Sequence, residues 1–175
     1  VLPTIVWLVS GMSPFTFINR ILQPLFTALL TSSSATTLPV SMIAAEKELG
    51  VDRAKASFIL PLGATANMDG TALFEGIAAI YLAYMFGIDL GSTEIITVFL
   101  ISMLSSIGAP GMPSGSMAGM QLVLLAVGIP LEAIALLLLI ERPLDTFRTA
   151  VNVEGDLAGC LVVEHFISGS QKATS

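Results

Sequence analysis

The sequence predicts an all-α integral membrane protein. In it, a re-entrant helical hairpin followed by an interrupted transmembrane helix occurs twice, with the second copy inverted. Three observations carry this expectation. Of the 175 residues, 54% are hydrophobic and only 11% charged, against about 25% charged in soluble domains. Charge is confined to short joints: none occurs in 1–19, in 21–45, or in the 37 residues of 95–131. The uncharged stretches are themselves interrupted by Ser, Thr, Gly and Pro runs that no continuous helix accommodates. The same numbers exclude other classes. A net charge of −6 with seven scattered Lys and Arg argues against a nucleic-acid surface, and Cys160 alone cannot build a disulfide framework.

At about 20 residues per span, no more than five or six crossings fit. The chain starts in the apolar run VLPTIVWLV, without Met, a basic leader or a cleavage site, and so reads as the C-terminal part of a longer polytopic chain. Residues 1–19 are expected to end a preceding transmembrane helix. Residues 20–57 form the first hairpin and its joint: two apolar arms around TSSSATTLP (31–39), then EKELGVDRAK (46–55). Residues 58–94 form a crossing broken at ATANMDGTA (64–72), followed by the acidic joint DLGSTE (89–94). Residues 95–130 repeat the hairpin. Its first arm, 95–107, spans only about 20 Å, too short for a ~30 Å bilayer core, and Gly108, Pro110, Gly111, Pro113 and Gly115 mark a mobile tip. Residues 131–167 form the last helix, with local unwinding at GDLAG (155–159), and 168–175 a loose polar tail.

Arg20, Lys47, Arg53 and Lys55 place the first hairpin on the cytoplasmic side, so a single crossing puts 89–94 outside and inverts the second copy. Irregular backbone at membrane depth survives only inside protein or beside a cavity, so the two tips should face each other or a common cavity. Inverted repeats with broken helices point to a secondary transporter with a site at the midplane.

The last helix carries the chemistry. Glu141, Asp145, Arg148, Asn152 and Asp156 are spaced by 4, 3, 4 and 4, a stripe about 80° wide at ~100° per residue. One reading is a salt-bridge ladder that glues helices. The other is a site for a zwitterionic ligand, with Arg148 as two-pronged donor to a carboxylate and Asp145 facing an ammonium. On that reading Arg148→Ala abolishes acidic-substrate binding and leaves the fold intact. Asp69, between Asn67 and Thr71 and beside Gly70, suits a small cation held by freed carbonyls and one carboxylate, with Asp156 a second candidate. Glu75, without an evident basic partner, is either a proton carrier or a hydrogen-bonded structural acid.

SSSATTLPV (32–40), LPLGATANMDGTALFEG (60–76), SSIGAPGMP (105–113) and LDTFRTAVNVEGD (144–156) occur in this order. Together they resemble the dicarboxylate/amino acid:cation symporter family, the sodium-coupled glutamate and aspartate transporters. The likeness runs from about Ser13 to Val163. It implies an elevator-type transport domain in a homotrimer of the plasma membrane, not an enzyme. Its ligand would be an acidic amino acid, L-glutamate or L-aspartate, with two or three Na+ ions and H+ as a further candidate. Carried over by position, Arg148 and Thr71 would hold the side-chain carboxylate, Asp145 the amino group, and Asn152 with Ser34 the main carboxylate. Thr149 belongs to the same set, and the backbone of Met112 would close over the ligand. One sodium would lie among Gly63, Asn67, Asn152 and Asp156, and a second among Thr65, Met68, Ser106 and Ala109. A third would use Asn67 and Asp69, and Glu75 matches the family's proton-coupling glutamate.

Glu141 stands where the family usually has Asp, Arg142 is unusual in that span, and Phe74 replaces the Tyr of animal members. Three alternatives accompany this reading: a proton- or sodium-coupled C4-dicarboxylate symporter, an intramembrane aspartyl protease using Asp69 and Asp156, and a channel lined by facing re-entrant loops.

Overall fold

A computed structural model describes residues 1–173 and the side chains of residues 1–167. Every regular element among them is helical. In order they are α1 (Leu2–Ser10), α2 (Pro14–Arg20), α3 (Leu22–Thr31), α4 (Ser34–Lys47), α5 (Arg53–Ala66), α6 (Asp69–Met85), α7 (Ser92–Ile107), α8 (Ser116–Ala126) and α9 (Ile134–Ala173), with a 3-10 turn at Leu131–Ala133.

The first segment departs from expectation. Residues 1–19 are not the end of one helix: Gly11, at φ 73°, closes α1, and Ser13 caps α2 by accepting from the Thr16 amide. A left-handed glycine followed by Pro14 cannot continue a helix.

The segments expected to be hairpins each hold two helices, α3 with α4 and α7 with α8. In the first, only Ser32 and Ser33 are non-helical: Ser32, at φ 50°, closes α3, and the Ser33 hydroxyl accepts from the Thr36 amide to start α4. Most of the Ser/Thr run is therefore the opening of α4. In the second, residues 108–115 form turns between α7 and α8. The two tips meet, since the Ala35 amide donates to the Gly111 carbonyl at 3.1 Å and the Ser33 hydroxyl donates to it at 2.8 Å.

The crossing between the hairpins breaks at Asn67 and Met68, ahead of Gly70, which lies within α6. Gly70 is needed for another reason: a Cβ there would collide with the Arg148 carbonyl of α9. The unwinding expected at 155–159 does not occur, and α9 is continuous through it. Gly155 instead permits close approach, because a Cβ on it would lie 2.7 Å from Asn67 Nδ2 and 2.9 Å from Asp69 Oδ2. The tail expected at 168–175 is taken up by α9 as far as Ala173, and residues 174–175 lie outside the described residues.

Among the described residues no helix is long and apolar enough to cross a membrane by itself. The breaks are the cause for α5, α6 and α7, whose 14, 17 and 16 residues correspond to about 21, 26 and 24 Å. The 40-residue α9 has the length but carries the polar stripe.

Two apolar cores bracket the site. The first joins α1, α2, the first hairpin and α5 to the C-terminal half of α9 through Phe17, Ile21, Leu60, Val153 and Leu157. The second joins α6 to the second hairpin and the start of α9 through Leu82, Val98, Met120, Leu124 and Leu137. Each buried aliphatic or aromatic side chain contributes about 1.5–3 kcal/mol. These cores hold α9 on either side of the polar stripe, whose last residues overlap the first core at Val153. Outward, Phe58, Leu73, Ile77, Phe99, Leu104, Leu139 and Phe147 are exposed, an apolar surface of the kind that faces lipid or other helices.

Candidate functional site

The stripe on α9 is buried throughout: Glu141, Asp145, Arg148, Thr149, Asn152 and Asp156 are each at most 6% exposed. Burial at this depth is costly unless charges are matched. Arg148 Nη2 donates to Glu141 Oε1 at 2.9 Å and also to Asp145 Oδ1. The ladder therefore exists within α9, and its members reach other elements through Phe74 of α6 and Ser114 of the second tip. The guanidinium also lies over the Phe74 ring of α6, 4.4 Å from its centroid, a favourable stacking for a cation. Arg148 Nη1, by contrast, is buried without a partner.

All seven residues predicted to bind substrate come together. Ser34 from the first hairpin, Thr71 from α6, Met112 from the second tip, and Asp145, Arg148, Thr149 and Asn152 from α9 line one cavity of about 10 Å³. Ser32, Met68, Pro110, Gly111, Gly115 and Ser116 complete its wall. The Ser116 hydroxyl, like Arg148 Nη1, is buried without a partner. A cavity of this volume admits about one water molecule, so the two tips are closed over the site.

Asn152 knits the broken crossing to α9. Its Oδ1 accepts from the Gly70 amide at 2.8 Å, and its Nδ2 donates to Thr71 Oγ1 at 3.3 Å and contacts Met68 Sδ at 3.2 Å. The start of α6 is thereby held against the stripe.

The cation candidates are gathered in part. Asn67 Nδ2 donates to Asp156 Oδ1 at 3.1 Å, and a Cβ on Gly63 would stand 2.6 Å from that same oxygen. Gly63, Asn67 and Asp156 therefore form one cluster beside Asn152. Asn67 and Asp69 converge on Gly155, with Asp69 exposed at the surface. Of the set Thr65, Met68, Ser106 and Ala109, the last three are buried and Thr65 is exposed. The end of α5 does reach the second tip, where a Cβ on Gly111 would lie 2.7 Å from the Ala64 carbonyl. Among the described residues no group of three or more His, Cys, Asp or Glu could hold a metal ion.

Glu75 is fully buried. Ser105 Oγ donates to its Oε2, while Oε1 has no partner.

Sequence reasoning missed three contributors. Ser114, at φ 61°, donates from its amide to Asp145 Oδ2 at 3.0 Å and from its hydroxyl to Glu141 Oε2 at 3.1 Å. Ser33 clasps the opposite tip, and Ser105 engages Glu75. All three lie within the Ser-rich runs that mark the tips, a signal for turns that does not reveal which hydroxyl reaches inward.

The chain matches the model of the sodium:dicarboxylate symporter family over residues 1–166. It is similar to human excitatory amino acid transporter 2, with 48% identity over 164 residues, 94% of this chain and 29% of that protein. It is 46% identical over 165 residues to excitatory amino acid transporter 4 of Rattus norvegicus, again 94% of this chain and 29% of the relative. An excitatory amino acid transporter of Caenorhabditis elegans is 43% identical over 165 residues, 94% of this chain and 33% of that protein. The chain thus spans about a third or less of the length of these relatives. It belongs to the sodium:dicarboxylate symporter family, whose members are carriers, not enzymes, and the protease reading falls with that.

Proposed function

We propose that this chain forms the substrate- and cation-binding part of a sodium-coupled symporter for acidic amino acids. The observation that carries the reading is Arg148. It is buried and held in place by Glu141, Asp145 and Phe74, yet Nη1 has no partner on the wall of a cavity closed by two hairpin tips. A buried unpaired guanidinium N–H costs about 1–3 kcal/mol or more, and a ligand carboxylate would recover that cost. Asp145 in the same wall supplies an acceptor for an ammonium, which favours an amino acid over a C4-dicarboxylate. The excitatory amino acid transporter names of the relatives agree with this choice.

On this reading Thr71 assists Arg148, Asn152 and Ser34 take the main carboxylate, Thr149 packs beside them, and the Met112 backbone covers the ligand. Sodium ions, two or three in number, are co-transported cargo. Gly63, Asn67, Asn152 and Asp156 hold one, Thr65, Met68, Ser106 and Ala109 a second, and Asn67 with Asp69 a third. Glu75 exchanges a proton. Coupling is thermodynamic: cations that bind the closed, loaded state better than the open one raise substrate affinity, and substrate raises theirs by the same factor. The closed unit then moves as an elevator across the plasma membrane, within a homotrimer. The two hairpin–helix copies, related by inversion, carry opposite gates.

The test is L-aspartate binding to the purified protein in sodium and in choline, with competitors. Sodium-dependent binding displaced by L-glutamate, and not by serine or succinate, is the expected result. Displacement by succinate with equal potency would instead assign a dicarboxylate carrier.

A further inference from the structure

Both carboxylate oxygens of Asp145 already accept a hydrogen bond in this closed arrangement. Oδ1 accepts from Arg148, and Oδ2 accepts from the Ser114 amide at 3.0 Å. The Ser114 hydroxyl binds Glu141 Oε2 at 3.1 Å, and Glu141 Oε1 takes Arg148 Nη2 at 2.9 Å. One residue of the second tip therefore engages both acids that neutralise the arginine, through two hydrogen bonds to ionised and buried acceptors, the stronger class of hydrogen bond. Ser114 does this from the left-handed region, φ 61°, a conformation uncommon for a residue other than glycine and one that persists where surrounding contacts impose it.

We propose that Ser114 is a further affinity-determining residue of this site, a latch whose hydroxyl bond to Glu141 holds the second tip down beside Asp145 and must break before ligand can bind. The proposal rests on the amino-acid reading of the cavity. A space of about 10 Å³ cannot hold an amino acid, so the tip must lift before ligand enters. The bonds that lift breaks are those of Ser114 to α9 and of Gly111 to the first tip. The latched state competes with the loaded state, and ligand affinity is reduced by the fraction of protein that is latched. The length of Glu141 matters here, since it reaches Ser114 with one oxygen and Arg148 with the other. The Asp usual at this position in the resembled family is one methylene shorter.

The test uses Ser114→Gly, which deletes the hydroxyl while suiting the left-handed backbone, with Ser114→Ala as a second variant that keeps a Cβ. Hydrogen exchange at the amides of 108–115 is read on ligand-free protein, and L-aspartate binding is read in sodium. Faster exchange at the tip, with L-aspartate bound about threefold to tenfold more tightly, is the expected result, the size following from loss of one hydrogen bond to a charged group. Unchanged exchange in both variants overturns the latch whatever the ligand. Faster exchange with weaker binding overturns the displacement step, because the Ser114 bonds would then belong to the loaded state. Faster exchange with no L-aspartate binding even by the unaltered protein also overturns that step. In that case the fault lies in the amino-acid reading, and the latch itself is shown.

Discussion

Replacing Arg148 with Ala removes a cation from between two carboxylates that, among the described residues, pair with no other cation. The side chains of Arg148, Glu141 and Asp145 are each at most 5% exposed, so solvent cannot take over the neutralising role. Breaking a buried ion pair from one side costs about 3–5 kcal/mol, and loss of the stacking on Phe74 adds about 1 kcal/mol. At roughly 2–4 °C per kcal/mol for a chain of this size, the melting temperature should fall by on the order of 10 °C. This revises the expectation from sequence that the variant leaves the fold intact. Thermal unfolding followed by circular dichroism measures the loss, and L-aspartate binding is measured beside it. A triple variant, Arg148→Ala with Glu141→Gln and Asp145→Asn, separates the two effects. It removes the stranded charges, so most of the stability should return while binding stays lost. An Arg148→Ala protein that melts within about 2 °C of the parent, or that still binds L-aspartate, would refute the reasoning.

Two other substitutions probe the cations and the proton. Gly63→Ala places a Cβ 2.6 Å from Asp156 Oδ1 and 3.0 Å from its Cγ, so Asp156 must swing away and give up its Asn67 bond. The sodium concentration for half-maximal L-aspartate binding should rise on the order of tenfold, as losing one charge-assisted hydrogen bond implies, and an unchanged midpoint would remove Gly63 and Asp156 from the cation site. Glu75→Gln retains an acceptor for Ser105 and deletes the titratable group. L-aspartate binding should lose its pH dependence and keep its sodium dependence, whereas an unaltered pH profile would make Glu75 a structural acid.

Hairpins and stripe were legible because membrane burial leaves few explanations for polar residues. The spacing of Glu141 to Asp156 predicts one face of one helix, and α9 presents it as such. The run SSIGAPGMPSGS predicts a broken helix, and residues 108–115 are turns. The remainder depends on packing across long sequence separations. GDLAG looks like an unwinding point, because glycine weakens helices. Here Gly155 is required instead by the approach of Asn67 and Asp69, which no local pattern reveals. Gly11 breaks the first segment through a left-handed turn, φ 73°, which the apolar run around it does not announce. Ser114 could not be singled out from Ser105, Ser106 and Ser116, because only the folded tip decides which hydroxyl meets Glu141.

The most direct test of the account is the affinity of the purified protein for L-aspartate across a sodium series, with choline replacing sodium at constant ionic strength. If cations and substrate stabilise one closed state, affinity should fall at least in proportion to sodium below its saturating range. Sodium affinity measured with and without L-aspartate should change by the same factor. Equal L-aspartate affinity in sodium and in choline would contradict the coupling, and with it the central claim.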